Sequence, residues 1–122
     1  HMISNQPHNK LHSQLDHGSV SEGDRPHGVE PVTMHPADAT ARNLSAGQIV
    51  CIHNMRGACF AELNISADIR PGVIQIATGA WYDPDGNTCR KGNPNTLTPD
   101  KGTSALAQGP IAHSCLVSVS LR

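Results

Sequence analysis

The alternation of hydrophobic and polar residues is clearest between positions 47 and 65, in the sequence GQIVCIHNMRGACFAELNI. Two β-prone runs there flank the tetrapeptide NMRG, in which Asn54 and Gly57 supply turn chemistry and Gly57 can adopt a positive φ. The pattern therefore predicts a β-hairpin. Shorter β-prone runs predict further strands at 31–35, 73–77 and 114–121, and a turn at 70–72.

The sequence PADATARN at 36–43 predicts one short helix. Pro36 suits the first helical position, Asp38 complements the positive end of the helix dipole, and Asn43 can end the helix. Residues 3–30 are polar and rich in turn formers, so they predict an extended entry followed by a long loop. A few strands, little helix and many turns predict a small, mostly-β barrel.

The stretch 83–114 shows little hydrophobic periodicity, which in a compact domain indicates either disorder or a functional loop. Its asparagines, threonines and glutamine lie between glycines, and this composition suits close wrapping of a polar ligand by backbone and short side chains. The same residues also suit a surface loop that forms its own Asx and Ser/Thr turns. Composition does not choose between these two interpretations.

The composition predicts one domain with a modest core. The chain has 122 residues, 37% of them hydrophobic, with one Phe, one Trp, one Tyr, 11 Gly and 9 Pro. A bound ligand or neighbouring domains would add to the limited stability of such a core, because they bind only the folded state. His1-Met2 is interpreted as a cloning scar, so the predicted domain is 3–122, expected to be excised from a larger enzyme.

Charge and hydropathy argue against two classes of partner. The formal net charge is -1 and the basic residues are scattered, whereas nucleic acids and anionic membranes are bound by clustered Lys and Arg. No apolar run approaches the length of a membrane span. The sequence therefore predicts neither a nucleic-acid partner nor a membrane partner.

The cysteines and histidines do not form a metal-binding pattern. The four cysteines, Cys51, Cys59, Cys89 and Cys115, include no CxxC pair, and the eight histidines are irregularly spaced. We therefore predict no metal ligands and four free thiols, with Cys51 and Cys59 on adjoining hairpin strands. Cysteines without evident pairing favour the cytoplasm slightly over the periplasm.

Four segments occur in an order that resembles a known family. They are SNQPHNKLHSQLD at 4–16, HPADATARNLSAGQIVCIHNMRG at 35–57, IRPGVIQIATGAWYDP at 69–84 and GNPNTLTPDKGTSALAQG at 92–109. Together they resemble the C-terminal domain of the molybdopterin oxidoreductases, in the branch that reduces dimethyl sulfoxide, trimethylamine N-oxide and biotin sulfoxide. The resemblance implies a small double-psi β-barrel with one or two short helices and long glycine-rich loops.

The resemblance also implies a cofactor site. In this family the segments similar to 4–16 and 92–109 line molybdopterin guanine dinucleotide, and His12, Ser13 and Gln14 match the family motif directly. Gln6 stands where many relatives have His, and Lys10 where they often have Arg, which replaces a planar fork by a point charge. The cofactor-binding residues implied are Gln6, Lys10, His12, Ser13, Gln14, Asn95 and Gln108.

The family chemistry implied is reduction of an S-oxide or N-oxide by oxygen-atom transfer at molybdenum, which is held by bis(molybdopterin guanine dinucleotide). The catalytic side chain that ligates the metal lies in another domain, so no catalytic residue is expected here and the isolated fragment is expected to be inactive and without cofactor. Its partners would be the cofactor and the remaining domains of the same polypeptide, and this chain would hold one wall of the site.

Two other readings remain open at the level of sequence. A free-standing double-psi barrel could act as a protein- or substrate-recognition module, because fold does not fix function. A self-processing enzyme of similar barrel shape could cleave itself at Gly18-Ser19, which an intact mass would detect.

Overall fold

The computed structural model describes residues 1–109, 111 and 115–122. Its strands are β1 (Met2–Asn5), β2 (Pro31–Met34), β3 (Ile49–His53), β4 (Ala58–Ile65), β5 (Ile74–Ala77), β6 (Pro84–Asp85), β7 (Thr88–Cys89) and β8 (Ser118–Leu121). The helices are α1 (Ser19–Gly23) and α2 (Pro36–Ala41), with a 3₁₀ helix at Pro94–Thr96. The prediction of a mostly-β fold with short helices is confirmed.

The strands form one mixed sheet in the order β1-β5-β2-β4-β3-β8, with β7 pairing both β4 and β6. Strand β1 runs parallel to β5, and β2 runs parallel to β4. The backbone N–H of Met2, in the first strand of this order, donates to the carbonyl of Cys115, just before β8, at 2.8 Å. This bond brings the chain leading into the last strand against the first. The double-psi arrangement itself stays a prediction.

The predicted hairpin is present as β3 and β4, which pair antiparallel with Cys51 opposite Phe60 and Ile52 opposite Cys59. The Asn54 N–H donates to the Gly57 carbonyl at 3.0 Å and closes the turn. The predicted positive φ at Gly57 is wrong, because Gly57 is not among the glycines with positive φ. Gly57 is instead required by packing, since a Cβ there would lie 2.8 Å from the Thr96 carbonyl oxygen.

The core is formed mainly by side chains of the strands. Val32 on β2, Ile52 on β3 and Ile76 on β5 are fully buried. Met2 is also fully buried and pairs with Ile74 in the β1–β5 ladder. Met2 therefore contributes to β1 and to the core, and the interpretation of His1-Met2 as a cloning scar stays a prediction.

Several predicted boundaries change. The segment 3–30 is not only extended chain and loop, because it includes most of β1 and all of α1. Within the described residues of 83–114, β6, β7 and the 3₁₀ helix are present, so this part of the segment is not loop throughout. The last strand begins at Ser118 rather than at 114, a position outside the described residues. Helix α2 is confirmed, with Pro36 in its first turn and His35 accepting the Ala37 N–H at 3.1 Å.

All four cysteines are free, as predicted, and Cys51 and Cys59 lie on adjoining strands. Burial, with a smaller effect of the neighbouring thiols Cys89 and Cys51, raises the pKa of Cys59 to about 12. The Cys59 thiol is therefore protonated at neutral pH and serves as a small core residue. None of the helices in the described ranges is long and apolar enough to cross a bilayer.

Candidate functional site

A cavity of about 440 Å³ opens at the carboxyl ends of β1 and β5. Because these two strands are parallel, the loops that follow them leave the sheet at the same edge. A third segment, just before and within the 3₁₀ helix, completes the lining. The lining residues are Gln6, His12, Ser13, Thr78, Gly79, Ala80, Asn93 and Asn95.

The loop that carries His12 and Ser13 has an unusual backbone. His12 and Leu15 both adopt a positive φ, 51° and 64°. Residues other than glycine adopt this backbone region only when their surroundings enforce it. The His12 carbonyl packs directly against Gly79, where a Cβ would lie 1.8 Å from the oxygen. Gly79 itself has a φ of 99°. Only glycine satisfies both the backbone angle and the close approach at this position.

Trp81 holds the same loop from the other side. Its indole Nε1–H donates to the Ser13 carbonyl at 2.7 Å, and its backbone N–H donates to Asp16 Oδ2 at 3.0 Å. The ring of His17 meets the Trp81 ring edge to face at 4.5 Å. The loop is therefore fixed through its middle and through its end.

A buried cluster of four charged residues lies under the loop, and we call it the charge cluster: Lys10, Asp16, Arg25 and Glu30. Lys10 Nζ lies 2.9 Å from Asp16 Oδ1 and also contacts Glu30 Oε1. Arg25 Nη1 lies 3.0 Å from Asp16 Oδ1 and 3.4 Å from Glu30 Oε1. All four side chains are at most 6% exposed. Two cations face two carboxylates, so the cluster is neutral overall.

The protonation of Asp16 follows from these contacts. Burial is the largest single influence and would raise the pKa of Asp16. The hydrogen bonds from Lys10 and from the Trp81 N–H, together with the charges of Lys10 and Arg25, outweigh it and hold the pKa below the ordinary value of 3.8. Asp16 is therefore a carboxylate at neutral pH.

The 3₁₀ helix and its N-cap supply the two asparagines that line the cavity, Asn95 and Asn93. Asn93 caps it, with Oδ1 accepting the Asn95 N–H at 2.9 Å. The hairpin turn holds the end of this helix, because Asn54 Nδ2 and Arg56 Nε donate to the Leu97 carbonyl at 2.8 and 2.7 Å. A second cavity of about 430 Å³ adjoins the first and shares Asn93 and Asn95 with it; its other lining residues are Tyr82 and Thr96.

The structure brings four of the predicted site residues together. Gln6, His12, Ser13 and Asn95 line the first cavity, although 4–16 and 92–109 are far apart in sequence. The side chains of His12, Ser13 and Asn95 have no hydrogen-bond partner among the described residues, which leaves their polar groups available to a ligand. Gln6 Nε2 donates to the Lys10 carbonyl at 2.9 Å.

Three predicted site residues lie elsewhere. The Lys10 ammonium is buried in the charge cluster, so its position does not support a cofactor contact. Gln14 is exposed but lines neither cavity. Gln108 folds back on its own loop, with Nε2 donating to the Ala105 carbonyl at 3.3 Å.

Four lining residues were not predicted: Thr78, Gly79, Ala80 and Asn93. A signal was available for each. Asn93 belongs to the GNPN motif beside Asn95, and the other three form the TGA run between a predicted strand and Trp81. Thr78, Gly79 and Ala80 are short polar or small residues that directly follow β5, and such strand ends are where the loops of a site emerge.

The lining of the first cavity carries no aspartate, glutamate, lysine or arginine. It offers amide, hydroxyl and imidazole groups, which donate and accept hydrogen bonds without formal charge at neutral pH, apart from a protonated imidazole. No group of three or more metal-ligating side chains occurs in the described part of the chain. The arrangement suits recognition of a neutral, polar, planar edge.

Relatives of known activity match nearly the whole chain. It is 43% identical to a biotin sulfoxide reductase of Cereibacter sphaeroides over 98% of this chain and 16% of that protein. It is 40% identical to a dimethyl sulfoxide/trimethylamine N-oxide reductase of Rhodobacter capsulatus, over 98% of this chain and 15% of that protein. Trimethylamine-N-oxide reductase 1 of Escherichia coli K12 is 43% identical, also over 98% of this chain and 15% of that protein. The chain thus spans about one sixth of the length of these oxidoreductases.

A solved structure shares the fold. The acetylene hydratase from Pelobacter acetylenicus superposes with a TM-score of 0.76 over 99% of this chain and 18% of that chain, at 12% identity. At that identity the likeness establishes the fold alone.

The family comparison agrees with the resemblance drawn from the sequence motifs. Residues 1–116 match the family described as the Molydopterin dinucleotide binding domain. The match supports cofactor binding rather than a free-standing recognition module. The chain therefore belongs to the molybdopterin dinucleotide-binding domain family, which occurs as one part of larger oxidoreductases.

Proposed function

We propose that this chain is the C-terminal domain of a molybdenum oxidoreductase that reduces S-oxides or N-oxides, and that it forms one wall of the bis(molybdopterin guanine dinucleotide) site. The observation that carries the proposal is the shared cavity, in which Gln6, His12 and Ser13 meet Asn93 and Asn95 from a distant segment. The remaining domains of the same polypeptide would supply the other walls and the metal-ligating side chain.

The lining residues fit such a cofactor. Pterin and guanine both present a planar edge of alternating donors and acceptors, which amide groups match with paired hydrogen bonds. The amides of Asn93 and Asn95, with Gln6 Oε1, would make these bonds, and the Ser13 hydroxyl would donate to a ring or phosphate oxygen; all four residues line the cavity. Because the lining is largely neutral, hydrogen bonds rather than ion pairs would orient the ligand at this wall.

The two adjoining cavities also fit an elongated ligand. They meet at Asn93 and Asn95, and Tyr82 lies on the far side of this junction, half exposed at 57%. An aromatic face at that place can stack on a heterocycle. A dinucleotide could therefore extend from the loop of His12 to Tyr82.

The cofactor, when bound, supplies the oxygen-atom transfer chemistry. The residues of this chain bind it, orient it and exclude water from one side. No residue of this chain is assigned a catalytic role, and the isolated chain is expected to have no reductase activity.

The proposal is tested by titrating GDP into the 122-residue chain and following amide chemical shifts. We expect shifts at 12–13, 78–80 and 93–95, with millimolar affinity, on the order of 4 kcal/mol, because the other walls are missing. Asn95→Ala and Ser13→Ala should each weaken binding about threefold to tenfold, as loss of one hydrogen bond does.

The control variant is Asn64→Ala, which alters an exposed asparagine on β4 that lines neither cavity. It should bind GDP as the unaltered chain does. ADP serves as the base control, because a guanine-reading wall should bind it more weakly. Shifts confined to the 54–57 turn, or none at saturating GDP, would contradict the proposed site. Equal binding of ADP would contradict the guanine form of the cofactor.

A further inference from the structure

We infer that Asp16 is a positioning residue for the candidate site, because its carboxylate fixes the loop that holds His12 and Ser13 opposite Asn93 and Asn95. This inference rests on the proposed function and deepens it. Membership of the family assigns no role to Asp16, and the sequence motif gives it none.

One carboxylate joins three separated parts of the chain. Asp16 Oδ1 lies 2.9 Å from Lys10 Nζ and 3.0 Å from Arg25 Nη1, and Oδ2 accepts the Trp81 N–H at 3.0 Å. The Asp16 side chain is completely buried. Both oxygens are therefore engaged by groups of the chain itself.

The ion pair between Lys10 and Asp16 closes the loop on itself. These two residues begin and end the loop 10–16, and His12 and Leu15, with their positive φ, lie between them. Strained backbone of this kind persists only where the surroundings determine it. Here the ends are fixed by the charge cluster and the middle by the bond from Trp81 Nε1 to the Ser13 carbonyl.

The charge cluster lies outside the strands and helices: Lys10 and Asp16 stand between β1 and α1, Arg25 follows α1, and Glu30 directly precedes β2. Its ion pairs involve no side chain of the β3–β4 hairpin. Disturbing Asp16 should therefore loosen the loop before it loosens the hairpin. A buried cluster that is balanced in charge and placed beneath a ligand-facing loop preorganises that loop, which reduces the ordering that binding requires.

The test is Asp16→Asn, which keeps the size of the side chain and an acceptor for the Trp81 N–H but removes the charge. We expect amide hydrogen exchange at 11–15 to accelerate about tenfold or more, because the buried cations Lys10 and Arg25 lose the carboxylate that ties them to the loop. The amides of β3 and β4 should exchange as before. GDP binding should weaken by a similar factor. Asp38→Asn is the matched control, because Asp38 also accepts a backbone N–H, from Gly72, but lies away from the cavity.

A second variant covers the case in which Asp16→Asn does not fold. Lys10→Met combined with Glu30→Gln removes one charge of each sign and leaves Asp16 with Arg25 and Trp81. It severs the closure of the loop without leaving a buried charge unpaired. The exchange at 11–15 should again accelerate relative to β3 and β4.

The outcomes separate this inference from the proposed function. Unchanged exchange at 11–15, or exchange that accelerates equally in β3 and β4, overturns the positioning role of Asp16. GDP binding that survives Asp16→Asn unchanged overturns it as well. Absence of GDP binding by the unaltered chain contradicts the proposed function instead, and the exchange at 11–15 still decides whether Asp16 fixes the loop.

Discussion

At the scale of single residues, Asp16 links the acid response of the chain to its candidate site. Its pKa in the folded state is lower than the ordinary carboxyl value of 3.8, because Lys10, Arg25 and the Trp81 N–H favour the ionised form more than burial opposes it. A depressed pKa adds stability above the unfolded pKa and loses it as pH falls through the folded pKa. The contribution of Asp16 is therefore fully present at neutral pH, and it is lost progressively as pH falls from the ordinary carboxyl value through the lower pKa of the folded state.

The free energy of unfolding should accordingly fall as pH drops from neutral towards 3, and part of this fall should be absent in Asp16→Asn. Urea unfolding at a series of pH values measures both slopes. Asp38→Asn should keep the slope of the unaltered chain more closely. Identical slopes for Asp16→Asn and the unaltered chain would show that Asp16 does not titrate with a depressed pKa.

Gly79 is the second residue on which the site depends. Gly79→Ala places a Cβ 1.8 Å from the His12 carbonyl oxygen at a φ of 99°, so both contact and backbone oppose the change. We expect a loss of roughly 2–4 kcal/mol in the free energy of unfolding and displacement of the His12 loop.

Gly72→Ala provides the comparison, because Gly72 also has a positive φ of 80° but no atom near the added Cβ. It should lose only about 1 kcal/mol, the cost of the backbone angle alone. Chemical denaturation measures both variants. Equal losses would mean that the approach of His12 to Gly79 has no energetic weight.

At the scale of elements, the β3–β4 hairpin carries two of the four thiols, Cys51 and Cys59, and supports the 3₁₀ helix. Cys59 is buried with a pKa of about 12, whereas Cys51 is only half-buried. Alkylation requires the thiolate and access to it. In the native chain Cys51 should react before Cys59, and titration of the denatured, unreduced chain should find four thiols. Peptide mapping after timed alkylation gives the order, and a count of two thiols would contradict the free state.

Local pattern predicted the elements whose causes are local. The β3–β4 hairpin, α2 and β5 follow from alternation, capping and turn residues within a few positions, and the structure contains them. Gly57 shows where prediction from local pattern ends. The turn around it was predicted, but the reason that a glycine is required there is the close approach of the Thr96 carbonyl, from a distant part of the chain. The short strands β6 and β7 form because they pair with each other and because β7 pairs with β4. No local sequence pattern predicts these pairings.

The candidate site divides in the same way. Gln6, His12, Ser13 and Asn95 could be predicted because they stand in recognisable motifs. Lys10 could not be placed from the sequence, because a lysine in a polar segment looks exposed until the fold brings Asp16, from the same loop, and Glu30, from beyond α1, against its ammonium. Burial of a charge is a property of the whole fold, and sequence spacing carries little information about it.

At the scale of the whole molecule, the candidate site exists because parallel pairing of β1 and β5 brings two loops to one edge, and the hairpin turn carries the 3₁₀ helix to meet them. The chain spans only about 15% of relatives such as the Rhodobacter capsulatus reductase. A site open on one side is consistent with a wall that other domains complete. The central proposal is therefore that this wall of the chain contacts the cofactor.

The most direct test of that claim is a crystal structure of the chain with GDP bound. We expect the guanine or its phosphates to lie within hydrogen-bond distance, about 3.2 Å, of at least one side chain from each of two segments. In the first segment this side chain is His12 or Ser13, and in the second it is Asn93 or Asn95. GDP bound only at the 54–57 turn, or only at another surface outside this cavity, would contradict it.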